Sequence, residues 1–326
     1  MWIVERMRYR PKTDRRTQPV IEVLGGPLFD IFIDDIRQVV MDALVLLFAD
    51  DTKAALKIES EEDGAKMQKI IDSLANWADK WGMSFNIAKC KIVHAGRNDP
   101  KFDYSMKGDK IVEANEEKDL GVWVEASMKP GKQCATAAKS ANFALSQIQR
   151  AFHYRKKSCR VPLYKTFVRP KLEFVSSAWS PWLEQDKKQL EKVQERFIRL
   201  LSDVKGDTYE KKLEDAGLTT LEKRRERGDA LETFKTINDF NRVDKNKWFQ
   251  FEREEARPTR SNTTVTSEGE RRRLNVIRGE AARLEVRKNF YNVRAGKKWN
   301  DIQDKVKEQK SVNAFKNAYD KWASNS

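Results

Sequence analysis

Histidine and cysteine are nearly missing from this chain of 326 residues, which has two of the first and three of the second. Cys90, Cys134 and Cys159 are odd in number and widely spaced, without a CxxC pair, and only His94 and His153 stand by to complete a ligand set. That pattern argues against a tetrahedral zinc site and against a disulfide framework. It points to a reducing, intracellular compartment, nucleus or cytoplasm. Long apolar runs are also missing: no stretch approaches the roughly 18 residues of a membrane span. The start, Met1-Trp2-Ile3-Val4-Glu5-Arg6, lacks the apolar core of a signal peptide. No membrane partner is expected. Finally, there is no acidic excess: 35% of residues are charged and the net charge is +14. Residues 1–100 carry 15 Lys/Arg against 16 Asp/Glu, whereas residues 101–326 carry 49 against 34. The basic surplus therefore sits in the second part, as a protein tracking a polyanion backbone requires, or as a solvated helical surface also shows.

The length suits about two domains, and hydrophobic periodicity places the elements. Residues 1–20 are polar and basic with no clear period. Leu28, Phe29, Phe32, Ile33 and Ile36 follow helical spacing, with Pro27 as a first-turn residue. A buried strand at 44–48 ends in an acidic turn, and a returning strand spans 52–58. Residues 61–81 read as an amphipathic helix with Met67, Ile70, Ile71, Leu74, Trp77 and Trp81 on one face, closed by Gly82. Short strands follow as far as 120–124. Helices then dominate, over 132–154, 162–183, 184–201, 221–240 and 289–322, with a basic connector at 252–273. Trp77, Trp81, Phe143, Phe167 and Phe197 are expected in the core. The organisation expected is three segments, 1–125, 126–250 and 251–326.

The chemistry concentrates in Leu44-Val45-Leu46-Leu47-Phe48-Ala49-Asp50-Asp51-Thr52. Adjacent carboxylates at the end of a strand-like run serve either as a plain polar turn or as a holder of divalent metals against a nucleotide triphosphate. The neighbouring motifs decide between them. Val23-Leu24-Gly25-Gly26-Pro27-Leu28-Phe29 through Phe32-Ile33-Asp34-Asp35-Ile36, then Leu47-Phe48-Ala49-Asp50-Asp51-Thr52, stand in order. Trp77, Trp81, Phe85-Asn86 and Lys89-Cys90 with Gly96 follow, then Glu117-Lys118-Asp119-Leu120-Gly121-Val122. After these come Leu163-Tyr164-Lys165, Arg169-Pro170-Lys171-Leu172-Glu173, Ala178-Trp179-Ser180-Pro181 and a tail with Trp299-Asn300 and Ala314-Phe315-Lys316. Together they resemble the reverse transcriptase of a non-LTR (LINE-like, jockey/CR1-type) retrotransposon along nearly the whole chain.

The resemblance implies an α+β fold: a partial palm, an antiparallel sheet with helices, followed by a mainly helical thumb and C-terminal region. It implies RNA-directed DNA synthesis, with RNA template and DNA primer as partners and Mg²⁺, or Mn²⁺, as cofactor once the site is complete. Asp50 and Asp51 would be two of three metal carboxylates. Phe48 and Ala49 would support the turn and face the primer, and Gly121 would belong to a primer-grip hairpin or be simply a turn glycine. Lys89 would lie near the leaving pyrophosphate, or face solvent beside a core cysteine. Arg150, Arg155, Lys156, Lys157, Arg160, Lys165 and Arg169 would hold the template–primer backbone.

Three departures stand against a working enzyme, and the first is that no segment resembles the family's fingers. The segment that supplies the family's first metal carboxylate, upstream of the LGP-like stretch, has no counterpart: Asp14 lies among Arg and Thr. Asp34 and Asp35 sit on a helix of the motif and replace it poorly. Pro19-Val20-Ile21-Glu22 stands where the family has a glycine-containing loop that receives the nucleotide. The expectation is a shortened relative with little or no activity alone. A non-catalytic nucleic-acid-binding module, or a relic without a role, are the alternatives.

Overall fold

The computed structural model describes residues 2–8, 28–96, 99–251 and 276–325. Asp14, the Pro19–Glu22 stretch, the start of the LGP-like segment and the connector at 252–273, with Arg271-Arg272-Arg273, lie outside them. The fold mixes helices and strands in two compact units, Met1–Lys132 and Gln133–Ser326.

The first unit is built on one sheet. Strand β1 (Trp2–Arg8) is followed by short helices α1 (28–33) and α2 (Ile36–Val39). The hairpin β2 (Leu44–Phe48) and β3 (Asp51–Ala55) leads into helix α3 (Glu61–Lys80). Short strands complete the unit: β4 (Ser84–Phe85), β5 (Lys91–Val93), β6 (Ser105–Met106), β7 (Asp109–Lys110), β8 (Val112–Glu113), β9 (Glu116–Asp119) and β10 (Val122–Glu125). The main sheet runs β2-β3-β1-β5-β8, with β4 also paired to β1. Its pairings are antiparallel apart from β5 with β8. The strand at 2–8 corrects the sequence expectation of an aperiodic N-terminus. Its polar residues hide the strand in a local reading, but β3 and β5 flank it and satisfy its backbone.

Helix α3 forms where its sequence says it should. Ser60 caps it through its side chain, accepting from the Asp63 N–H, while the Asp63 carboxylate accepts from the Ser60 N–H, a capping box. Gly82, at φ +67°, ends it in the left-handed conformation. Its face of Met67, Ile71, Leu74 and Trp77 packs into one core with Ile33, Ile36 and Ile92. Trp77 donates its ring N–H to the Asp35 carboxylate at 3.0 Å, so Asp35 is occupied in the core rather than offered to a ligand. Trp81 was expected inside but is 39% exposed, because it lies past the last helical turn and meets Phe32 edge-on at 4.9 Å.

The second unit is helical. Helix α4 (Gly131–Ala151) is followed by α5 (Lys157–Leu163), a π-helical turn over Tyr164–Val168, α6 (Arg169–Glu173) and α7 (Ser176–Trp179). Then come α8 (Glu184–Arg199), α9 (Tyr209–Asp215), α10 (Leu221–Ile237) and α11 (Lys245–Trp248). Helices α12 (Glu285–Lys288), α13 (Tyr291–Asp301), α14 (Asp304–Lys307) and α15 (Val312–Asn325) fold back on α10. Phe234 of α10 stacks on Phe315 of α15 at 4.2 Å, with Trp299 beside them, so the C-terminal helices share their core with α10.

Phe197 is buried as expected, stacked on Tyr164 at 4.2 Å. Phe143 and Phe167 are not buried: they are 67% and 55% exposed. Phe143 lies on the outer stripe of α4, opposite Ala137, Ala141 and Leu145. Phe167 is turned outward by the π-helical turn, whose extra residue per turn shifts the inward positions to Tyr164 and Val168.

Candidate functional site

The β2–β3 hairpin places the acidic pair. Phe48 pairs with Asp51 across the hairpin, leaving Ala49 and Asp50 as a two-residue turn. Ala49 adopts φ +48°, a left-handed conformation that costs a residue with a Cβ about 1–2 kcal/mol. Strain of this kind is characteristic of functional turns. Phe48, Ala49 and Asp50 are exposed, and Asp51 is half-buried. Along β1 the partner changes from Asp51, opposite Arg6, to Phe85, opposite Met7. The acidic turn and the strand just before the Lys89 turn thus meet at one end of the sheet. Lys89 itself closes the short 3₁₀ turn Ile87–Lys89 and is exposed, while Cys90 next to it is buried.

Lys53 has a part that the sequence reading missed. It is buried on β3, two residues beyond Asp51, and its ammonium forms an ion pair with Asp119 at the end of β9. The signal was present as a cation between Thr52 and Ala54, in a strand bordered by apolar residues. The β9–β10 hairpin turns through Leu120 at φ +43° and Gly121 at φ +89°, the double positive φ of a tight I′ turn. Gly121 is therefore required by the turn itself. Lys132 lies over the Trp123 ring, 5.0 Å from its centroid, on the next strand.

Among the described residues no group of three His, Cys, Asp or Glu side chains gathers to hold a metal ion. Asp50 and Asp51 are two donors where a two-metal site needs more, so the donor set of the described residues does not fit a complete polymerase centre. Asp35 is engaged by Trp77, and Asp34 sits in an exposed ion pair with Arg37 at 3.6 Å, so neither is gathered into a ligand group with Asp50 and Asp51. His94 Nδ1 lies 3.1 Å from Asp99, and Cys90 donates to the Asn86 carbonyl.

The seven cations expected to hold nucleic acid divide sharply. Arg150, Arg155 and Lys156 are exposed, and Lys165 is half-exposed. Lys157 is taken up by Asp215, which its ammonium reaches at 2.8 Å. Arg169 is half-buried near Glu173, and burial, aided by the Arg224 guanidinium, holds its pKa below the usual arginine range. Arg160 is a correction: it is buried, donating to the carbonyls of Phe152 at 2.7 Å and Tyr154 at 2.9 Å. Burial, and Arg155 nearby, lower its pKa too. Spacing alone cannot separate a bracing arginine from a ligand-binding one.

A sequence profile described as "Reverse transcriptase (RNA-dependent DNA polymerase)" matches residues 22–143, the stretch that holds the acidic turn, the Lys89 turn and the β9–β10 hairpin. Residues 22–143 are thus similar to a reverse-transcriptase domain. The chain is similar to an "RNA-directed DNA polymerase from mobile element jockey" of Drosophila funebris, at 24% identity over 201 residues. That match covers 56% of this chain and 21% of the relative, so the chain spans about a fifth of that protein. No solved structure matches the chain. Both comparisons thus point to reverse transcriptases, the second to that of a mobile element. Arg150 to Arg169 lie beyond the profile match. No described helix is long and apolar enough to cross a membrane.

Proposed function

We propose that this chain is the palm and thumb part of a non-LTR reverse transcriptase, binding RNA template and DNA primer but extending the primer little or not at all by itself. In this reading the first unit is a partial palm, and α4 to α8 belong to the thumb. The observation that carries it is the Asp50-Asp51 pair on a strained turn inside the family match, with no third carboxylate gathered beside it among the described residues. The reaction joins the primer 3′-hydroxyl oxygen to the α-phosphorus of a nucleotide, releases pyrophosphate and loses the hydroxyl proton. Divalent ions supply charge neutralisation in such chemistry. Loss of one metal carboxylate forfeits several kcal/mol of transition-state stabilisation, which is several powers of ten in rate.

Primer extension on an RNA template, with Mg²⁺ or Mn²⁺, tests this. No template-directed product is expected from the chain alone. Extension that disappears in Asp50→Ala overturns the inactivity. A binding role without catalysis is favoured by the exposure of Arg150, Arg155 and Lys156. It predicts binding that weakens steeply with salt and is indifferent to Asp50→Ala and Asp51→Ala.

A further inference from the structure

From Ala126 to Leu172 the chain has 47 residues without one carboxylate and with 11 Lys/Arg. In the middle of this stretch the five residues Phe152-His153-Tyr154-Arg155-Lys156 are all exposed, with Phe152 at 42% and Tyr154 at 55%. Two aromatic rings left in water beside two cations, Arg155 and Lys156, ask for an explanation that the core does not provide.

The segment is also braced from behind. The Phe152 N–H donates to the Ile148 carbonyl at 3.0 Å, and the Ser202 N–H donates to the Arg155 carbonyl at 3.1 Å. The Lys157 N–H donates to the Asp203 carboxylate at 2.7 Å. The buried Arg160 guanidinium holds the Phe152 and Tyr154 carbonyls, so both rings are displayed on a backbone fixed by charge-assisted bonds. Fixing the backbone beforehand lowers the ordering cost of binding. Lys156 Nζ lies 5.7 Å from the Tyr154 ring centroid, and Arg150 and Phe143 share the exposed stripe of α4 that leads to the turn. Asp203 and Asp215, the carboxylates at the base, are engaged with Lys157.

Exposed rings on a rigid turn, interleaved with cations, fit bases that offer a free face, and a base-paired duplex offers none along its length. We propose that Phe152–Lys156 is a stacking site for unpaired nucleotides, with Phe152 and Tyr154 taking bases and Arg150, Arg155 and Lys156 the phosphates. This rests on the nucleic-acid reading above and specifies which form that reading concerns. Stacking uses the base faces, which RNA and DNA share.

The test measures fluorescence anisotropy of the full chain with a labelled 20-nucleotide RNA, the DNA of the same sequence and the corresponding duplexes, between about 50 and 300 mM salt. Phe152→Ala/Tyr154→Ala is expected to weaken both single strands about 10- to 100-fold, leave the salt slope unchanged and spare the duplexes. Phe152→Trp/Tyr154→Trp should keep single-strand binding, which separates stacking from misfolding. Arg155→Ala/Lys156→Ala should flatten the slope by roughly 1.4 on single strands. Single-strand affinity within twofold of wild type in the alanine pair, or an equal loss on duplexes, overturns the proposal while leaving nucleic-acid binding standing. Absence of binding by the unaltered chain to every probe at about 50 mM salt removes the broader reading itself.

Discussion

The Lys53 ammonium and the Asp119 carboxylate form an ion pair that ties the hairpin of Asp50 and Asp51 to the β9–β10 hairpin. Both side chains are largely out of water, at 10% and 18% exposure. Separating such a pair leaves a poorly hydrated charge behind, which costs more than the pair itself contributes. Asp119→Ala should lower stability by about 3 kcal/mol, and Lys53→Met/Asp119→Ala should regain more than half of that loss. Urea unfolding of wild type, both single variants and the double variant reads the coupling. If Asp119→Ala unfolds at the wild-type midpoint, the two hairpins are joined by packing alone.

How far the sequence discloses this molecule depends on the range over which each determinant acts. Helix α3 is legible because its cap, apolar face and closing glycine all lie within its own 23-residue neighbourhood from Ser60 to Gly82. The acidic turn is legible for the same reason. Strand β1 is not, since its partners lie about 50 and 90 residues away, from Asp51 to Ala55 and from Lys91 to Val93. Arg160 reads as a free cation because the carbonyls that it holds have no side-chain signature. Lys53 needed Asp119, 66 residues on.

The aromatic residues give a direct measure of the same point. Phe197 and Phe143 are both large residues on amphipathic helices, yet one is 1% exposed and the other 67%. Phe197→Ala should cost about 3–5 kcal/mol, by loss of burial and by the cavity left against Tyr164. Phe143→Ser should stay within about 0.5 kcal/mol of wild type, as surface changes do. Thermal unfolding of the two variants side by side checks this, and equal losses would mean that Phe143 has a buried partner.

Acid should loosen the base of the Phe152–Lys156 turn. The Asp215 pKa is lowered below its ordinary 3.8, first by the hydrogen bond from Lys157 and then by the Lys205 N–H. A carboxyl whose folded pKa is depressed stabilises the fold above its unfolded value and ceases to do so as pH falls through the folded value. Asp215→Asn should therefore be less stable than wild type at neutral pH and converge with it below the ordinary carboxylate range. Unfolding midpoints measured from pH 7 down to about 2 give the difference curve. A gap that persists unchanged to the lowest pH would assign the Asp215 contribution to its shape and not to its charge.

Among the described residues strand β2 is the terminal strand of the main sheet, and it alternates Leu44, Leu46 and Phe48 outward at 58%, 43% and 64% exposure. Its outer backbone edge is a template for another strand, and its outward side chains offer no charge to deter one. Asp42 and Asp50 stand at its two ends, so repulsion acts only at the margins of any antiparallel self-pairing. Leu46→Lys places a charge at the centre of that edge without touching the turn. It should raise the soluble fraction and reduce light scattering on concentration, with little change in the unfolding midpoint. Leu47→Lys, on the half-buried face that packs against the core, should instead unfold the unit. If Leu46→Lys scatters as much as wild type, association runs through another surface, and the exposed leucines of β2 are solvated without consequence.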